Sequence, residues 1–170
     1  MRGVAPHPVD RQRARQPWAL NEQPSGTRSS VPAKHIDVFA TGEKARIDHL
    51  ILTVSDVQRS LTFYEAALAP LNISMFMPFK GDNGNPDLWG FGDGKRAFFW
   101  LKQGSPSPEA LHWGFEADNN QQVDTFYEAA MAAGAKDRIS PRARLEFYPG
   151  YYAADVTDPD GYHFEVVHKA

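Results

Sequence analysis

The sequence of 170 residues contains no cysteine, which excludes disulfide bonds, zinc–thiolate sites and thiol nucleophiles. It also has no apolar run near the roughly 18 residues that a membrane-spanning helix needs. Acidic residues outnumber basic ones by 21 to 18, so the net charge of -3 provides no basic surface for nucleic acid or anionic lipid. We therefore expect a cytoplasmic protein that binds neither nucleic acid nor a membrane. Any metal ion must be held by histidine and carboxylate.

The composition changes near residue 45. Apolar residues make up 42% and aromatic residues 12% of the sequence, which is enough to bury a core. Residues 1–45 show no apolar periodicity and carry scattered arginines and prolines, which predicts a disordered N-terminal extension. The prolines are Pro6, Pro8, Pro17, Pro24 and Pro32. We expect the folded domain to span residues 46–170.

An internal repeat organises this domain. The stretch Thr62–Ala69 (TFYEAALA) returns as Thr125–Ala132 (TFYEAAMA), an offset of 63 positions with one difference. The same offset places His49 on His112. Two copies predict a pair of related modules, because a solenoid needs three or more repeats.

Each copy predicts a strand, a helix and three further strands, which makes the fold class α+β. In the first module, Ser55 and Asp56 offer a cap for the helix and Pro70 ends it, while Pro78 is expected to stop the second strand. The predicted strands of the first module are 46–54, 73–77, 87–91 and 96–101. The second module is predicted to have a helix at 121–133 and strands at 111–115, 138–143, 151–156 and 162–168. The modules would span residues 46–104 and 109–170.

Alternation along the strands places three metal-binding side chains on one face. The aliphatic positions of each first strand should face the helix, so His49 and His112 point to the opposite, concave side. Glu165 points the same way from the last strand. A carboxylate in an apolar strand is costly unless it is paired or binds a metal, so an ion pair with Arg142 or Arg144 is the alternative to metal binding. Two histidines and a carboxylate form the facial triad of metal enzymes.

These patterns resemble the vicinal oxygen chelate superfamily, which includes glyoxalases, bleomycin-resistance proteins, fosfomycin-modifying enzymes and extradiol dioxygenases. The resemblance covers residues 46–170. It rests on motifs that recur in order: IDHL at 47–50, VSD at 54–56, SLTFY at 60–64, HWGF at 112–115, VDTFY at 123–127, AGA at 133–135, DPDG at 158–161 and Glu165.

The resemblance implies two tandem βαβββ modules that form a curved mixed sheet around a cupped site, with helices on the outer face. It also implies a divalent metal ion, Fe, Mn, Zn or Ni, held by His49, His112 and Glu165, and a homodimer as the assembly. Glyoxalases carry a fourth ligand, Glu or Gln, on the last strand of the first module. Here the position equivalent to Glu165 is Phe98, Trp100 or Lys102, none of which is a metal ligand, and this argues against lactoylglutathione lyase activity.

The sequence therefore favours a metal-dependent lyase, isomerase or dioxygenase that acts on a small substrate with two neighbouring oxygens. Glu165 would serve as ligand, and either Glu116 or a metal-held hydroxide as base. The candidate substrate-binding residues are Arg142, Arg144, Tyr151, Tyr152 and Trp100. The alternative is a non-catalytic protein of the bleomycin-resistance type that sequesters a ligand in the same cup.

Overall fold

A computed structural model describes residues 47–170, and the predicted extension at residues 1–45 lies outside this range. The predicted α+β fold of two βαβββ modules is confirmed. The first module contains β1 (Leu50–Val54), α1 (Val57–Leu68), β2 (Ser74–Phe79), β3 (Leu88–Gly92) and β4 (Ala97–Gln103). The second contains β5 (His112–Glu116), α2 (Asn120–Ala132), β6 (Lys136–Ala143), β7 (Tyr151–Thr157) and β8 (His163–Lys169). Short 3-10 turns follow α1 and precede β5.

The two helices begin at equivalent caps and bury equivalent faces. The Asp56 side chain accepts a hydrogen bond from the Arg59 amide at the start of α1, and Asn119 does the same for Gln122 at the start of α2. The repeat explains the shared apolar face, because Phe63 and Ala67 of α1 are buried, as are their counterparts in α2, Phe126 and Ala130. Among the described residues, no helix has both the length and the apolar character needed to cross a membrane.

The strands form two four-stranded sheets with the same order, β1-β4-β3-β2 and β5-β8-β7-β6. The first and last strands of each module run parallel, and the other neighbours are antiparallel. The expectation that Pro78 stops β2 is wrong, since the strand continues to Phe79. β2 is an edge strand, and edge strands tolerate proline because one side of the strand has no neighbouring strand to which the missing N–H would donate.

One aromatic core is shared by both modules. The fully buried Phe164 of β8 stacks on Trp113 of β5 at 5.3 Å and also contacts Phe63 of α1 edge-on at 6.4 Å. On the first sheet, the ring of Phe99 lies 5.6 Å from that of Phe115 in the second. Rings in these arrangements contribute interaction energy beyond the area they bury. Both sheets therefore turn their helix-bearing faces to one core, and their other faces point away from it.

A buried hydrogen bond joins the modules beside this core. The Tyr64 hydroxyl donates to Asp158 Oδ2 at 2.6 Å, and both residues are almost inaccessible to solvent. Asp158 also accepts from the Tyr162 amide at 2.8 Å. Burial raises the pKa of the Asp158 carboxyl above its usual range, and the hydrogen bonds oppose that shift. The repeat counterpart of Tyr64, Tyr127, instead makes an exposed hydrogen bond with Asp137 at 2.9 Å.

We expect Tyr64→Phe to lower the free energy of unfolding by about 1–3 kcal/mol, because it leaves a buried carboxylate oxygen without its donor. Tyr127→Phe is the matched control, since it removes a tyrosine–aspartate bond at the equivalent position on the surface and should cost less than about 0.5 kcal/mol. Urea titration followed by circular dichroism measures both. Equal losses for the two variants would contradict the role given to the buried bond.

Candidate functional site

The alternation predicted for the first strands is present. Leu52 and Val54 are buried against the core, whereas His49 and Ile51 on the other face of the first sheet are exposed. His112 is likewise exposed at the start of β5. β1 and β5 are edge strands of their sheets, and a cleft of about 370 Å³ is lined by both histidines. Glu165 does not line this cleft.

The His49 ring is oriented by its neighbour. Its Nδ1 lies 2.8 Å from Asp48 Oδ1, and the other oxygen of Asp48 accepts a hydrogen bond from Arg96 at 2.9 Å. The hydrogen bond to His49 is the main cause of the lowered pKa of the Asp48 carboxyl. A proton on Nδ1 leaves the Nε2 lone pair free, which is the arrangement that carboxylates give to metal-binding histidines.

Glu165 is held by a tyrosine. The Tyr151 hydroxyl donates to Glu165 Oε1 at 2.7 Å. Burial, followed by this hydrogen bond, raises the pKa of Tyr151 to about 12. Gly114 lies directly opposite Glu165, and a Cβ there would sit 3.0 Å from Glu165 Cγ, so the glycine leaves room for the carboxylate side chain. Within the described part of the chain, tyrosine is the side-chain hydrogen-bond partner of Glu165, and neither predicted arginine pairs with it.

Two charged residues that the sequence did not single out, Arg138 and Asp155, form an ion pair, and Asp155 lies beside Glu165. Asp155 is directly across from it on β7 and is only 5% exposed. Arg138 donates to Asp155 Oδ2 at 2.8 Å, while Oδ1 has no hydrogen-bond partner among the described residues. Burial raises the pKa of the Asp155 carboxyl, and the nearby Arg138 opposes that shift. Arg138 also lines a cleft of about 360 Å³ together with His112 and His163.

The predicted substrate-binding residues have different surroundings. Tyr152 lies on the helix side of β7, where its hydroxyl donates to Asp124 of α2 at 2.8 Å, and this places it away from the face of Glu165. Arg144 is engaged by Glu146 at 2.6 Å and lies over the ring of Phe147. Arg142 is exposed and sits opposite Ala153 in the sheet.

Glu116 and Trp100 complete the predicted set. Glu116 is exposed at the end of β5, four positions after His112 and therefore on the same face. Trp100 is half-buried on the face of the first sheet that carries His49. It pairs with Ile51, the repeat counterpart of Gly114. Of the three positions considered for the counterpart of Glu165, the strand register therefore selects Trp100.

The donor types fit a divalent metal ion, but a single chain does not gather all of them. His112 and Glu165 share the outer face of the second sheet, whereas His49 belongs to the first. Within residues 47–170, no three His, Asp or Glu side chains come close enough to hold a metal ion together. Of the three predicted ligands, two therefore lie on the second sheet and one on the first.

Comparison of the sequence with family models gives a match over residues 46–166 to the glyoxalase/bleomycin resistance protein/dioxygenase superfamily. This range covers more than two thirds of the chain. A search of curated proteins found no significant match.

Solved structures share the fold at low sequence identity. A glyoxalase/bleomycin resistance protein from Albidiferax ferrireducens T118 is 24% identical, with a TM-score of 0.54 over 72% of this chain and 98% of its own. The fosfomycin resistance protein FosX from Listeria monocytogenes is 17% identical, with a TM-score of 0.56 over 75% and 96%. The trypanothione-dependent glyoxalase I of Leishmania major is 19% identical, with a TM-score of 0.54 over 74% and 88%.

Proposed function

Because the chain belongs to the glyoxalase/bleomycin resistance protein/dioxygenase superfamily, we propose that it is a divalent-metal-dependent enzyme for a small substrate with two neighbouring oxygens. The observation that carries the proposal is the pair of oriented ligands: Glu165 fixed by the Tyr151 hydroxyl and His49 fixed by Asp48. Such supporting hydrogen bonds are typical of metal ligands, whose orientation they fix. The reaction class is a lyase, isomerase or dioxygenase.

The proposed roles follow from the atoms of Glu165 and His49 that their hydrogen bonds to Tyr151 and Asp48 leave unused. Glu165 Oε2, His49 Nε2 and a ring nitrogen of His112 would hold the ion, which when bound polarises substrate oxygens as a Lewis acid. Glu116 is the candidate base, because it is exposed on the His112 face. Arg142, also exposed, is the better placed of the two predicted arginines to pair with a substrate carboxylate, since Arg144 is already occupied by Glu146.

We propose that the three ligands meet in a homodimer. β1 and β5 both end their sheets, so within residues 47–170 each has one side without a paired strand. In a twofold dimer, β1 of one copy beside β5 of the second would bring His49 of the first to His112 and Glu165 of the second, and would do so twice.

A ligand-sequestering protein is the second candidate, favoured by the aromatic character of the cleft between β1 and β5. Phe98, Phe99, Trp113 and Phe115 line it. Such a protein needs no metal. Metal content therefore separates the two functions.

We expect the purified protein to take up about one equivalent of Mn, Fe, Zn or Ni per chain, and His112→Ala or Glu165→Gln to lose it. His168→Ala is the control, because that histidine bonds to Asn120 at the start of α2 and should leave the metal content unchanged. Elemental analysis after dialysis provides the measurement. Wild-type protein without stoichiometric metal would overturn the enzyme proposal in favour of sequestration.

Mixing two defective variants tests where the site is assembled. His49→Ala and Glu165→Ala should each bind no metal alone, but co-expressed chains should recover about a quarter of the wild-type content. Half of the dimers would be mixed, and one of their two sites would be intact. Separately tagged chains allow the mixed dimer to be isolated. Metal-free mixed dimers would contradict a shared site.

Tyr151→Phe should weaken metal affinity by about 10- to 100-fold, because Glu165 loses the donor that orients it. Tyr152→Phe removes a tyrosine–carboxylate bond from the next residue, on the other face of the same strand, and should have no effect on metal affinity. Competition with a coloured chelator measures both affinities. If the two variants bind metal equally well, Tyr151 does not position Glu165.

A further inference from the structure

The two modules carry very different side chains at one pair of equivalent positions on their last strands. On the second sheet, Glu165 stands opposite Gly114, and on the first sheet Trp100 stands opposite Ile51. Since Gly114 follows Ile51 by the repeat offset of 63, Trp100 occupies in the first module the place that a metal-ligand candidate occupies in the second. An indole ring therefore replaces a carboxylate beside His49.

The structure leaves room for this large ring. Gly90 of β3 lies directly opposite Trp100, and a Cβ at that glycine would come within 2.7 Å of the indole Cζ3 atom. This distance is too short for a Cβ atom. Because glycine has no side chain, position 90 leaves space for the indole to lie across the sheet. Trp100 is half-buried, so part of its ring is accessible at the surface.

The ring forms one wall of a cleft with an apolar body and a polar end. This cleft has a volume of about 290 Å³. Its apolar lining is Ile51, Phe79, Leu88, Ala97 and Trp100, and its polar lining is Asp48 and His49. A cavity of about 150 Å³ is enough for a benzene molecule, so the space accepts a ring and its substituents.

We propose that this cleft is a specificity site for an apolar, ring-sized group carried next to the two chelating oxygens of the substrate. The inference rests on the proposed function, because His49 is both a wall of the cleft and a candidate metal ligand. With a metal at His49, the oxygens of a substrate would be held at the polar end. The adjoining group would then cover Trp100, Ile51 and Phe79, two of which are more than 40% exposed without it.

Two probes with the same chelating groups isolate the contribution of the apolar ring to binding affinity. Glycolate and mandelate each present a hydroxyl and a carboxylate on neighbouring carbons, but only mandelate adds a phenyl ring. We expect calorimetry on the metal-loaded protein to give an affinity for mandelate about tenfold or more above that for glycolate, because burial of the ring is favourable. Trp100→Ala should remove most of this difference and leave glycolate affinity within about twofold.

Met77→Ala is the matched control, since Met77 is an exposed apolar residue of the same sheet that does not line this cleft. It should leave both affinities unchanged. Trp100→Leu is the second variant, for the case that the alanine variant is unstable. Equal affinity of wild-type protein for the two probes, failure to bind either, or an equal loss of both in the Trp100 variants would overturn the inference.

Failure of the cleft proposal can be distinguished from failure of the proposed metal site. Protein that takes up no metal fails the proposed function, and the cleft is then tested on the metal-free protein with benzoate against acetate. Preference for benzoate that is lost in Trp100→Ala but kept in Met77→Ala would support the cleft alone. No preference would overturn it.

Discussion

The aromatic core shared by the two modules decides where every candidate ligand points. Phe164, Phe99 and Trp113 draw the helix-bearing faces of both sheets to one side. Side chains alternate along a strand, so the residues between these anchors must face the opposite way. His49, His112 and Glu165 are exposed or half-buried for that reason. The two sheets are separate hydrogen-bonded units, which divides the candidate ligands between them.

The repeat provides a symmetric frame in which His49 and His112 are equivalent, and other notable residues lie where the symmetry fails. Tyr64 reaches a buried aspartate of the other module, while Tyr127 stays at the surface. Trp100 takes the place that Glu165 has in the second module. One sheet therefore offers an apolar surface with a single histidine, and the other offers a polar surface with His112, Glu165 and the buried Asp155. A site built from both surfaces would combine apolar recognition with metal binding.

Much of this was predictable from the sequence. The offset of the repeated helix paired His49 with His112, and the two-residue period of the strands placed them opposite the core. Glu165 was conspicuous because it interrupts an apolar strand. These predictions depended on the repeat offset and on the period of the strands, both of which a sequence displays directly.

The remaining features depend on how the strands pair and on which residues each side chain contacts, and a single sequence does not display either. Trp100 could not be chosen over Phe98 until the pairing of β4 with β1 was known. Arg138 was missed because the register of β6 shifts on both sides of Ile139, so alternation does not hold there. Tyr151 and Tyr152 are adjacent and were grouped together, yet one supports Glu165 and the other contacts α2. Asp155 was overlooked because burial next to a second carboxylate leaves no trace in composition.

The central claim is that His49 of one copy completes a metal site with His112 and Glu165 of another. Anomalous X-ray diffraction from crystals grown with Mn or Zn tests it most directly. The account predicts a peak about 2.0–2.3 Å from a ring nitrogen of His112, a carboxylate oxygen of Glu165 and Nε2 of His49 of the second copy. A well-loaded crystal with its metal elsewhere, or with all three ligands from one chain, would contradict it.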